Sequence, residues 1–184
     1  MKKLLIIFLL FFPVHGVWTE VIEEKQAEEI IELFGIKFGE KCIDSTSDKY
    51  RTKGKVPNKL FKEHIVYCTS ITKRVWKIST NNFFESEKLN EFIMCRNSLR
   101  ALEKHFSEKY GVKLNITTDR DYEYKVQSND TDDMHNKVEM MCTRIGTGKK
   151  FSSVDLRLIV TNLKMISEKK KEDLQSSIID NKGI

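Results

Sequence analysis

Few residue types in this chain could do covalent or metal chemistry, and their spacing supports little of it. Beyond residue 16 the histidines are His64, His105 and His135, and none belongs to the H-E-x-x-H spacing that sets two imidazoles on one helical face for zinc. Gly146-Thr147-Gly148-Lys149 joins glycine to lysine as a phosphate loop does. The loop pattern G-x-x-x-x-G-K-[ST] requires Gly at the position of Thr143 and Ser or Thr at that of Lys150, so it is not met. No G-x-S-x-G elbow presents a serine. The chemistry that remains is oxidative. Cys42, Cys68, Cys95 and Cys142 are even in number and widely spaced, with no C-x-x-C, a pattern that points to two disulfides and not to a zinc knuckle or a redox motif. The expectation is therefore no enzyme, no cofactor and no bound metal.

The N-terminus agrees with an oxidising compartment. Lys2 and Lys3 precede an unbroken apolar run from Leu4 to Phe12, which Pro13 ends, and Val14 and Gly16 are small residues suited to a cut before Val17. Nine apolar residues fall far short of the roughly 20 that cross a bilayer, so residues 1–16 read as a secretory signal and residues 17–184 as a single domain. No later stretch is long and apolar enough to span a membrane. The formal charge of +5 falls to about +3 without Lys2 and Lys3, which argues for solubility and not for nucleic-acid binding. Two glycosylation sequons begin at Asn115 and Asn129; Asp130 makes the second the poorer acceptor.

Periodicity must supply the elements that position these residues, and it reads as helical. Asn82–Gly111 carries Phe92, Cys95, Leu99, Leu102 and Phe106 at steps of three and four, a single stripe of a long amphipathic helix. The same spacing links Phe61, Ile65, Cys68, Ile71, Val75 and Ile78, a helix over residues 58–78 that the Asn81-Asn82 link would fold antiparallel onto the first. Further helices are predicted over residues 19–38, over 134–146, and from Ser152 with Leu156, Ile159, Leu163 and Ile166 buried. Only residues 112–126 alternate with period two, around a turn at Thr118–Asp121, and predict a small β-hairpin. The fold class expected is thus mainly α, a single-domain bundle of about five helices stapled by two disulfides, with one β-hairpin near 112–126 and a tail that frays after about residue 168. In the antiparallel helical hairpin Cys68 and Cys95 lie at equal height, which predicts Cys68–Cys95 and leaves Cys42 to pair with Cys142.

Two functions suit such a chain. The first is a secreted, non-enzymatic interaction protein, a cytokine-like signal or an effector, that presents helix faces to an extracellular protein partner. The second is an extracellular carrier of a small hydrophobic ligand, with an apolar cavity built from Phe61, Phe92, Leu99 and Phe106. Lys49, Arg51, Lys53, Lys55 and Lys59 form a basic run with no acid after Asp48, the candidate contact for a polyanion and more simply a solvated loop. Insect odorant-binding proteins are likewise secreted, helical and disulfide-stapled, and the Cys42 to Cys68 interval suits their first one, but their C-x3-C and C-x8-C pairs are missing. Four-helix cytokines share long amphipathic helices and four cysteines, yet none of their motifs is present. The chain is assigned to neither family, and its oligomeric state is not legible.

Overall fold

A computed structural model describes residues 28–43, 46–54, 60–61, 63–85, 90–129, 135–147 and 150–181. The elements are β1 (Glu32–Leu33), β2 (Ile36–Lys37), β3 (Lys49–Thr52), β4 (Glu63–Cys68), β5 (Val75–Glu85), α1 (Asn90–Tyr110), β6 (Leu114–Arg120), β7 (Glu123–Ser128), β8 (Asn136–Thr147), β9 (Lys150–Asn162) and α2 (Leu163–Asn181). Strands β3 to β9 form one antiparallel sheet in the order β3-β4-β5-β9-β8-β7-β6, and β1 pairs only with β2. The chain is therefore mostly β with two helices, which overturns the five-helix bundle.

The correction has a local cause. In β4 the buried residues are His64, Val66 and Cys68, and in β8 they are Val138, Met140 and Cys142, each at period two. β9 buries Val154, Leu156, Leu158 and Val160 in the same way. These strands also carry Ile65, Met141 and Ile159 on the opposite face, and a second apolar set interleaved with the first completes a false three-and-four spacing. β-branched and aromatic residues in EHIVYC and VWKISTNNFFE favour the pleated conformation that the sheet selects. The Asn81-Asn82 link lies inside β5, where Asn81 opposes both Glu63 and Arg157. The helix expected over 134–146 is β8, and the one expected from Ser152 is β9 followed by α2. α2 runs through Asn181, across the segment expected to fray. Of the helix expected over 19–38, residues 19–27 lie outside the described residues. Residues 28–38 instead contain the β1–β2 hairpin, turned at Phe34 and Gly35 with φ of 54° and 76°. Positive φ at both central residues is the tight hairpin geometry that matches strand twist.

One core results. The sheet face bearing Val66, Ile78, Leu158, Met140 and Val126 is covered by α1 along β8 and β9 and by residues 28–43 along β4 and β5. Asn136 ties the covering segment down, accepting from the Ile30 N–H at 2.7 Å and donating to the Ile30 carbonyl at 3.2 Å. On the opposite face, among the described residues, α2 packs at one end. There Glu172 accepts from the backbone N–H groups of Ile71 and Thr72 at 2.6 and 3.2 Å and from the Thr72 hydroxyl at 2.5 Å.

Both disulfides form, but not in the pairing expected. Cys42 bonds Cys68 and Cys95 bonds Cys142, with Cα separations of 6.3 and 6.0 Å. Cys68 ends β4 on the covered face, where it meets the 28–43 segment, whereas Cys95 projects from α1 onto β8. No helical hairpin exists to align Cys68 with Cys95. No helix among the described residues is long and apolar enough to cross a membrane.

Candidate functional site

The site starts from the way α1 is seated. Its stripe of Phe92, Cys95, Leu99 and Phe106 is buried against the sheet, and Leu102 packs partly buried beside it. The Arg144 guanidinium lies 4.8 Å from the Phe92 ring and that of Arg96 lies 4.4 Å from the Tyr124 ring, so cation–π contacts brace the helix at both β7 and β8. Arg96 also pairs with Asp119 of β6 at 3.3 Å. The helix stops at Gly111, whose φ of 66° lets its N–H bond the Ser107 carbonyl at 2.9 Å in the left-handed cap. Buried Val112 then turns the chain into β6.

Rotating the apolar stripe onto the sheet leaves Arg100, Glu103, Lys104 and Ser107 facing the sheet's margin. With Val112, Lys113, Leu114 and Asn115 they line an open groove of about 550 Å³ between α1 and β6. Three cations and one carboxylate make its walls net positive. β6 has β7 on one side and, among the described residues, no strand on the other. Its residues 114–118, Leu-Asn-Ile-Thr-Thr, bear no charge, and Ile116 is 59% exposed. The other edge of the sheet is guarded. β3 carries exposed Lys49 and Arg51, and charge of this kind discourages pairing with another strand.

The residues singled out in the sequence are dispersed over the molecule. Lys49 and Arg51 lie on β3 with Lys53 just beyond it, all exposed; Arg51 is 4.0 Å from Glu63; Lys55 and Lys59 lie outside the described residues. Phe92, Leu99 and Phe106 form the underside of α1. Phe61 packs in the same core, with its ring 5.9 Å from that of Phe34. The two sequon asparagines, at opposite ends of the hairpin sequence, meet in space: Asn115 Nδ2 donates to Asn129 Oδ1 at 2.7 Å, and both residues are exposed. His64 is buried and stacked on Phe34, while His105 and His135 are exposed. No group of three or more His, Cys, Asp or Glu side chains among the described residues could hold a metal.

Arg100, Lys104, Lys113 and Ile116 were not singled out. The signal available for Ile116 was the lack of charge in a strand segment of a hairpin, but only the strand order reveals that this hairpin ends the sheet. A second, half-buried cluster lies on the opposite face, where Lys77 Nζ sits 4.1 Å from the Tyr67 ring centroid and 5.1 Å from that of Trp76. Burial lowers the Lys77 pKa, with Glu139 opposing and Lys169 assisting that shift. Lys169 also covers Trp76, at 5.6 Å, so α2 already occupies part of this surface. No protein-family model, curated protein or solved structure matches the chain.

Proposed function

We propose that the chain is a secreted, non-enzymatic interaction protein that receives part of an extracellular protein partner in the groove between α1 and β6. One observation carries this reading: an edge strand that is uncharged over residues 114–118, with no covering strand among the described residues, lies beside an open, net-positive groove. Unpaired edge N–H and C=O groups are a template for association, and proteins ordinarily blunt them as β3 does here. The signal-like opening and the two disulfides support export. The surface presented is thus an edge and a groove in place of a helix face. The carrier alternative asks for an apolar cavity of roughly 300 Å³ or more. The space lined by Ile36, Tyr50 and Val75 measures about 80 Å³, and the phenylalanines of α1 are committed to packing.

Site-specific photo-crosslinking in the protein's own secretion tests the reading. A photoreactive residue at Ile116 or Ser107 should capture one discrete partner, and one at Ile65 on the opposite face should not. Capture from Ile65 but not from the groove positions would overturn the proposal, as would capture from none.

A further inference from the structure

Resting on that reading, we propose that the partner contributes an extended segment which adds to β6 as an eighth strand and directs carboxylates toward Arg100 and Lys104. The register of β6 determines which side chains would meet the helix. Leu114 and Ile116 oppose Ser128 and Val126, and Val126 belongs to the face that α1 covers. Residues of an added strand alternate between faces, so every second side chain would lie over Ile116 and beneath the outer wall of α1. Ile116 calls for an aliphatic neighbour to remove its apolar surface from water. Arg100 and Lys104, one helical turn apart on the groove wall, call for acids. Lys104 is exposed and reaches Glu108 at 3.7 Å, a contact worth little in water and readily exchanged for a partner's carboxylate.

Charge also chooses between a partner and a second copy of the chain. Joining two β6 edges would bring together two walls that each hold Arg100, Lys104 and Lys113 against one Glu103. Like charges across an interface oppose association. The uncharged stretch of β6, five residues interrupted by a bulge at Thr117, is at most about 17 Å long at about 3.3 Å each, which sets the length of the recognised segment at five to seven residues.

Fluorescence anisotropy on the full mature chain, produced in a host that adds no N-glycans so that none covers the edge, tests the proposal. The probe is a labelled seven-residue peptide with threonine at every second position and valine and glutamate alternating between. It should bind, a lysine-for-glutamate version should bind at least tenfold more weakly, and Arg100→Glu with Lys104→Glu should reverse that preference. Because a variant of the edge could fail to fold, the peptide is altered instead. N-methylation of its alternate amides should abolish binding in one register and spare it in the other. Equal binding of the glutamate and lysine peptides, indifference to methylation in both registers, or self-association of the chain through β6 would each overturn the proposal. Crosslinking of a partner at Ile116 without peptide binding would sink strand addition and leave the interaction function standing; failure of both would sink both.

Discussion

His64 is fully buried, its ring stacked 4.3 Å from that of Phe34, and neither ring nitrogen has a hydrogen-bond partner among the described residues. Burial holds its pKa below the ordinary histidine value, against the opposing pull of the Lys53 backbone. An unfolded histidine takes up its proton near pH 6.5, so below that pH the unfolded chain binds the proton more readily than the folded one. The contribution of neutral His64 is therefore complete above about pH 6.5 and declines as pH falls below it. Denaturant midpoints measured between pH 7.5 and 5.5 should decrease, and His64→Phe should flatten that slope; an unchanged slope would remove His64 from the account. Glu172 gives an acid-side counterpart. Burial would raise its pKa, but hydrogen bonds from the Thr72 hydroxyl and from the Ile71 and Thr72 N–H groups outweigh that and hold it below the usual carboxylate value. Its contribution is present above the unfolded value near 4.3 and is lost as pH falls through the lower folded value. Glu172→Gln should loosen α2 by about 1–3 kcal/mol, read as faster amide exchange over Leu163–Asn181 at neutral pH. Neither role was legible in the sequence, because Glu172 and Ile71 lie 101 positions apart and no local motif sets His64 against Phe34.

At the scale of elements, α1 and the β6–β7 hairpin were legible and β4, β5, β8 and β9 were not. The stripe from Phe92 to Phe106 sits among charged residues on every other face, so only a helix buries it. The hairpin alternates cleanly around its turn, which falls at Asp121 and Tyr122, slightly later than Thr118–Asp121. Strands β4, β8 and β9 have apolar residues on both faces, which erases the alternation that would have marked them. The cysteine pairing failed with the elements that carried it. Non-reducing peptide mapping should recover Cys42 linked to Cys68 and Cys95 linked to Cys142; a Cys68–Cys95 peptide would restore the helical hairpin and contradict the sheet. The chain-entropy model assigns about 3.5 kcal/mol to closing the shorter loop, whose cysteines are 26 positions apart, and about 4 to the longer, at 47. Cys95→Ser with Cys142→Ser should therefore lower stability at least as much as the Cys42 and Cys68 pair of replacements, checked by denaturant unfolding.

At the scale of the whole molecule, the sheet is covered on one face by α1 and residues 28–43, carries cations along β3, and among the described residues has no strand beyond β6. The cysteine count anticipated a fold stapled by two disulfides. The location of the open edge required the strand order, in which β9 lies between β5 and β8 and β6 ends the sheet beside β7. The groove follows from that topology and from the seating of α1, not from any local motif. Hydrogen exchange of the protein with and without its crosslink-identified partner tests this account most directly. Amides of Leu114–Thr118 and the side of α1 from Arg100 to Ser107 should gain protection on binding. Protection confined to β3, or to the opposite face around Tyr67 and Trp76, would contradict it.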